Sequence, residues 1–263
     1  MYSVLPGITL PNDSDYLWRY MSFEKFVSLL ETKSLYFTRS DKFDDPFEGF
    51  TPPLIKQDYE RTVRDSNLLQ EFQKHWRKYT LCNCWHQAPE DSMAMWDKYH
   101  MQNSGIAIKT TFGDFKACLG DGYRVFLGNI EYINHYEYPV PNNIKELSML
   151  YTWYFHKRKT FEYEREFRAI FIHFPSSYTS YVDENGNIIN PDAALTDKNF
   201  PDTCKTGLAL EVNVDKLICE VITSPYNAGD NWITDTVKSV VKLYDYDFDV
   251  HSSTLLDPPS ENA

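Results

Sequence analysis

Glycine is scarce, at 10 in 263 residues, and neither a G-x-G-x-x-G fingerprint nor a Walker-type phosphate loop occurs, which excludes the two common glycine-cradled nucleotide folds. Basic charge is also short: 26 Lys and Arg against 38 Asp and Glu give a formal net charge of -12, a field that repels phosphate backbones. The longest basic run is Lys157-Arg158-Lys159, so generic nucleic-acid binding is not expected. The five cysteines, Cys82, Cys84, Cys118, Cys204 and Cys219, are odd in number and lack paired spacing. The opening MYSVLPGITL has no basic region followed by a long apolar run, so the chain reads as cytoplasmic and reduced, with no membrane partner. Cys82 and Cys84 form C-x-C on an expected strand, yet no second Cys or His pair stands nearby at zinc-ligand spacing, and no metal is expected. The seven histidines show no triad spacing and no G-x-S-x-G elbow exists, which leaves a serine hydrolase unsupported.

Aromatic residues are plentiful, with 19 Tyr and 17 Phe, and the chain is long enough to close a large core as one elaborated domain over 1-263. Tyr16 to Met21 reads as an aromatic strand. Ser22 can then cap a helix to about Thr32, with Phe23, Phe26, Val27, Leu29 and Leu30 as its apolar stripe. Leu35 to Thr38 is a second strand, running into an Asp-Pro loop that ends at Gly49. Residues 54-79 read as a polar helical insertion, followed by a strand at Tyr79 to Trp85. Pro89, Glu90 and Asp91 suit a first helical turn before Met93, Trp96 and Tyr99. Strands are expected at Gly105 to Thr110, Gly128 to Asn134 and Glu164 to His173. Between the last two, Asn143 and Glu146 cap a helix striped by Ile144, Leu147, Leu150 and Tyr154, with Lys157 to Lys159 complementing its carboxyl end. Residues 175-205 are an expected long loop. Strands at Leu208 to Val214 and Glu220 to Thr223, a helix at Trp232 to Leu243 and a strand at Tyr246 to His251 close the chain. This irregular order argues for an α+β fold of mixed, mainly antiparallel sheets with flanking helices.

Three groupings carry candidate chemistry. As one strand, Phe161 to Ile170 would send Glu162, Glu164, Glu166 and Arg168 to one face, where repulsion among the carboxylates raises some of their pKa values. The same run also reads as a solvated edge on which Arg168 pairs with Glu166. Asp44, Asp45 and Glu48 could hold a hard metal for hydrolysis, or brace a tight turn. Arg19, between Trp18 and Tyr20, either reaches the surface or holds an anion, and Trp96 and Tyr99 either flank a planar ligand or belong to the core.

Leu17-Trp-Arg-Tyr20, Leu35-Tyr-Phe-Thr38, Phe43-Asp-Asp-Pro-Phe-Glu48, Met95-Trp-Asp-Lys-Tyr99, Gly105-Ile-Ala-Ile108 and Tyr163-Glu-Arg-Glu-Phe-Arg168, in this order, resemble the bacterial family known as domain of unknown function 2971. Asp44 stands where that family usually has Asn, and Phe161 where Trp is common. A more remote resemblance is to the ADP-ribosyltransferase fold, in which an early Arg or His, a middle Ser, Thr or aromatic motif and a late Glu bind and activate NAD. It implies an NAD-dependent transferase with an unknown acceptor, of the kind that serves as a bacterial defence or toxin effector. Arg19 and Tyr20 match the first element and Glu164-Arg-Glu166 the E-x-E form of the last. Thr38, Ser40 and the Thr80 to Cys84 strand all remain open for the middle one. On that resemblance Glu166 stabilises the ribose cation, Glu164 orients or deprotonates the acceptor, and Arg19, Thr38, Trp96 and Tyr99 hold the dinucleotide. A non-catalytic binding or regulatory module, in which Arg19 and the glutamates form a buried structural network, stays beside it.

Overall fold

The computed structural model describes residues 2–62, 76–99, 104–139, 151–173, 205–227 and 232–259. Among them a mixed, mainly antiparallel sheet of ten strands runs through the molecule, with helices packed on it. Its strands are β1 (Tyr2–Ser3), β2 (Tyr16–Ser22), β3 (Ser34–Arg39), β4 (Thr80–Gln87), β5 (Gly105–Thr111), β6 (Val125–Asn129), β9 (Glu166–Ile172), β10 (Gly207–Glu211), β11 (Glu220–Thr223) and β12 (Asp249–Ser252). A separate parallel pair, β7 (Glu131–Ile133) and β8 (His156–Arg158), lies beside it. The main path is β1-β6-β9-β4-β2-β5-β11-β12, and β3, carrying β10, branches from β4.

One sheet face is apolar by two-residue alternation, interrupted in β2 by Arg19: Leu17 and Met21, Leu35 and Phe37, Ile106 and Ile108, Phe167 and Ala169 all join one buried cluster. The helices α1 (Phe23–Thr32), α4 (Phe112–Cys118), α5 (Val214–Leu217) and α6 (Trp232–Leu243) cover that face. They bury Phe26, Leu29 and Leu30, Phe112 and Phe115, Val214 and Leu217, and Ile233, Val237 and Val241. The expected stripe of α1 is borne out at Phe26, Leu29 and Leu30, with Phe23 partly buried against them and Val27 outside the cluster, and Ser22 adopts the extended N-cap backbone without a side-chain capping bond. Helices α2 (Pro53–Thr62) and α3 (Met93–Lys98) also lie among the described residues. The opposite face is divided. Trp18, Tyr20, Met95, Trp96, Ala107 and Ile222 form one small apolar cluster, and Leu5, Cys82, Ile130, Tyr154, Phe155 and Ile170 form another.

The sheet forks at β4. Pairing of β2 with β4 stops at Trp18 opposite His86, and pairing of β3 with β4 starts at Thr38 opposite Cys82, which leaves Asn83, Cys84 and Trp85 between the prongs. Arg19 closes this gap, donating from Nη1 to the Cys84 carbonyl at 2.9 Å and from Nη2 to the Tyr36 carbonyl at 3.3 Å. Asn83 Nδ2 donates to the same Tyr36 oxygen at 3.0 Å. Backbone acceptors that lose their ladder partners must find others, and an arginine fork supplies several donors at once.

Several expectations are corrected. The first turn placed at Pro89 to Asp91 begins instead at Met93, with Ser92 in the N-cap position. The strand expected at Gly128 to Asn134 is two short ones broken at Ile130, whose N–H donates to the Glu166 carbonyl. Phe161 to Ile170 is not one strand: Lys159–Glu164 is a 3-10 helix, Arg165 takes a left-handed backbone (φ 39), and β9 begins at Glu166. Lys157 belongs to β8 and is buried, so it caps no helix. The helical stretch at 63-75, most of the helix striped from Ile144 to Tyr154, and the loop at 175-204 lie outside the described residues. No helix among the described residues is long and apolar enough to cross a membrane.

Candidate functional site

Antiparallel pairing of β9 with β4 sets Glu166 opposite His86 and Arg168 opposite Cys84, and period-two alternation turns Glu166 and Arg168 to the divided face, between its two apolar clusters. The left-handed Arg165 then folds the preceding 3-10 helix back, which brings Glu164 beneath Glu166 although the two no longer share a strand. Strand β8 contributes Lys157, and the turn after β3 contributes Asp45 and Glu48. Tyr132 of β7 holds the entry to β9 by accepting the Glu166 N–H at 2.8 Å.

These residues form a buried ion cluster. Arg168 donates from Nε to Glu166 Oε1 at 2.7 Å, from Nη1 to Glu48 Oε2 at 2.8 Å and to the Tyr154 carbonyl at 2.7 Å, and from Nη2 to Glu48 Oε1 at 3.1 Å. Lys157 Nζ donates to Glu164 Oε2 at 2.7 Å and to Glu166 Oε2 at 3.0 Å, and lies 3.5 Å from Glu48 Oε1. Burial opposes the charged forms, but Arg168 and Lys157 outweigh it at Glu166 and hold its carboxyl well below the usual carboxylate range. At Lys157 burial is again the largest opposing effect, and the carboxylates, Glu166 first, raise its pKa above the ordinary lysine value. The expected upward shift from carboxylate repulsion is therefore overturned at Glu166, because each neighbouring acid brings a cation with it. The solvated-edge reading is right in its pairing of Arg168 with Glu166 and wrong in its solvation: Glu164, Glu166 and Arg168 are all buried.

A single oxygen breaks the pattern. Glu164 Oε1 is buried and accepts no hydrogen bond among the described residues. Its neighbour is Lys98, the last residue of α3, whose Nζ stands 2.7 Å away in ion-pair contact without hydrogen-bond geometry. Both residues line a cavity of about 360 Å³ beside the cluster. Rings of Phe43, Tyr99 and Phe161 form much of its apolar wall, and Arg158 stands at its edge, 38% exposed and paired with Asp45 at 2.9 Å. Cys84 also faces it, hydrogen-bonded to Glu166, its thiol pKa pushed well up by burial and by that carboxylate, so it is held as a neutral donor.

No family model, curated protein or solved structure matches this chain. The site is therefore read from its own geometry. Of the residues singled out in the sequence, Glu164, Glu166, Arg168 and Tyr99 line the cavity, and so do Asp44, Asp45 and Glu48. Arg19 stands one layer behind: its guanidinium binds the backbone of Cys84, whose thiol contacts Glu166, so strand β4 separates the early arginine from the late glutamate. Tyr20 is buried behind Tyr99, their rings stacked with centroids 6.3 Å apart, and its hydroxyl accepts the Ser92 N–H. Trp96 is fully buried in the core and donates Nε1 to Asp91 at 2.9 Å. Thr38 sits in the ladder between Cys82 and Gly207, Ser40 bonds the Arg77 carbonyl and Thr80 the Trp76 carbonyl. Asp45 braces the turn through the Phe47 N–H as well as Arg158, and both Glu48 oxygens are held by Arg168, while Asp44 is exposed at the cavity rim. No group of three or more metal-ligating side chains occurs among the described residues.

Sequence reasoning missed Lys98 and Lys157. Lys157 was hidden in a basic triplet that reads as surface charge. The available signal was its flanking sequence, Tyr154-Phe-His before it and Phe161 after it, too aromatic for a solvated face.

Proposed function

We propose that the cavity takes NAD as co-substrate and that the chain is an ADP-ribosyltransferase-like enzyme acting on an acceptor outside itself. The observation that carries this reading is Glu164 Oε1: a buried carboxylate oxygen met only by the Lys98 ammonium, in ion-pair contact at 2.7 Å without hydrogen-bond geometry, on a cavity wall that also presents aromatic rings and the cations Lys98 and Arg158 outside the ion cluster. An oxygen held by an ion pair alone still has lone pairs open to a well-aligned donor, and a buried carboxylate in that state is a candidate for a catalytic or ligand-binding role. Ribose hydroxyls supply the missing donor, Phe161 or Tyr99 a stacking surface for a planar ring, and Lys98 or Arg158 a partner for phosphate. A volume of about 360 Å³ suits the nicotinamide riboside half of the molecule.

Geometry favours a redistribution of roles between the two glutamates. Both Glu166 oxygens are taken, by Arg168 and Lys157, so Glu166 positions those cations and through Lys157 fixes Glu164. Glu164 is the carboxylate left to act. Heterolysis of the glycosidic bond leaves the electron pair on the nicotinamide nitrogen and positive charge on the ribose. A nearby carboxylate favours that charge, then accepts the proton of the attacking nucleophile. Arg19 serves the forked sheet, and of the four cations that line the cavity the two outside the ion cluster, Lys98 and Arg158, take the phosphate role.

Incubation of the purified protein with NAD, with and without cell extract, and assay of released nicotinamide tests this. The expected result is release that falls by about 100-fold or more in Glu164→Gln, the range typical for loss of a general base, assayed at a temperature where circular dichroism shows the variant folded, since loss of a buried charge from the cluster also lowers its thermal transition. Absence of nicotinamide from the wild type under every condition rejects the catalytic reading and leaves the binding-module one.

A further inference from the structure

Lys98 differs from the other cations around the cluster. Lys157 is enclosed by three carboxylates, and Arg168 by Glu48, Glu166 and the Tyr154 carbonyl. Lys98 contacts one carboxylate, is 30% exposed, and sits at the end of a six-residue helix with its ammonium 5.6 Å from the Tyr99 ring centroid. The contact lacks hydrogen-bond geometry, so it holds Lys98 by charge alone. The pair is open on the lysine side, 30% exposed, and closed on the glutamate side, 3% exposed, so the ammonium has a route out to the cavity while the carboxylate stays buried.

The charge count around it is informative. Without Lys98, the buried carboxylates of Glu48, Glu164 and Glu166 face only Lys157 and Arg168, which leaves one negative charge uncompensated at the cavity wall. Asp44 at the rim adds to it, while Asp45 and Arg158 cancel each other. An uncompensated charge in a buried site is costly, so whatever displaces the ammonium must itself bring positive charge to Glu164.

We propose that Lys98 is an exchangeable counter-ion that selects a zwitterionic ligand. In the free protein its ammonium neutralises Glu164; on binding it swings to an anionic group of the ligand, and a cationic group of the same ligand takes its place beside Glu164 Oε1. This rests on the NAD reading, since a pyridinium ring joined to a pyrophosphate has both charges in the required order. It adds that the ligand's two charged parts are recognised by opposite partners of one resting ion pair.

Two fragments separate these roles. Nicotinamide riboside carries the cation without phosphate, and ADP-ribose carries the phosphates without the cation. Calorimetric titration of each into wild type, Lys98→Met and Lys98→Arg is the test. In Lys98→Met, nicotinamide riboside is expected to bind about five- to tenfold more tightly, because no ammonium has to leave. ADP-ribose is expected to bind about five- to tenfold more weakly, because no ammonium is there to meet it, each change corresponding to one partly screened charge pair. Lys98→Arg restores ADP-ribose affinity. Shifts of the two fragments in the same direction, or no shift in either, overturn the exchange while leaving NAD binding intact. Failure of wild type and variants alike to bind either fragment overturns the exchange and the NAD reading together.

Discussion

Burying Arg168 is costly, and its surroundings repay that cost with near-complete satisfaction of its donors: four of its hydrogen bonds are made, three of them to carboxylates. His135 shows the opposite arrangement. It is buried against Phe47, with ring centroids 5.2 Å apart, and neither of its nitrogens has a partner among the described residues. Burial, and then the nearby His156, lower its pKa from 6.5 to about 4. As pH falls through 6.5 the unfolded chain takes up a proton that the folded chain refuses, so stability declines from there until the folded group titrates near 4. His135→Phe is therefore expected to raise stability by about 1 kcal/mol near neutral pH, by removing two unsatisfied polar atoms, and to flatten the decline below pH 6.5. Urea unfolding of both proteins across this range measures it, and a variant less stable than wild type at every pH contradicts the assignment. The two-residue glutamate spacing was legible in the sequence, but the sign of its electrostatics was not. Alternation shows which acids are close and puts Arg168 among them, but says nothing about two lysines, Lys157 and Lys98, arriving from other segments.

Elements whose pattern is local were legible. The stripe of α6 is complete in its own sequence, and Trp232 to Leu243 forms as its period requires. Helix α4 was equally available and passed over: Phe112, Phe115 and Cys118 recur at helical spacing after Thr111, which accepts the Asp114 N–H at 3.0 Å. The break at Arg165 was not available. Phe161 to Ile170 alternates well enough for a strand, and what ends that alternation is the demand of Lys157 and Lys98 for Glu164, a tertiary effect. At the fork of β4, Arg19 does the work of a missing strand. Arg19→Met removes the side-chain donor of the Cys84 carbonyl and leaves the Tyr36 carbonyl with Asn83 Nδ2, at an expected cost of about 1–3 kcal/mol. Amide hydrogen exchange would rise along β3 and β10 before β9. Uniform exchange across all three strands would show that the guanidinium is not what joins the prongs.

Over the whole molecule, the sheet presents one face sealed by helices and another where two apolar clusters flank a charged strip. That strip assembles Glu48, Lys157, Glu164, Glu166 and Arg168 from three separate stretches of chain, and only the fold makes them neighbours. The mainly antiparallel α+β architecture could be anticipated from element order; the convergence could not, because contacts between distant segments leave no period to read. The central claim is that this assembly keeps one carboxylate oxygen of Glu164 in reserve for a dinucleotide. Calorimetric titration of NAD into wild type and Glu164→Gln tests it most directly: saturable one-site binding that weakens about tenfold in the variant, as for loss of one charge-assisted contact, is the predicted result. No binding to the wild type, or equal affinity in the two proteins, would contradict it.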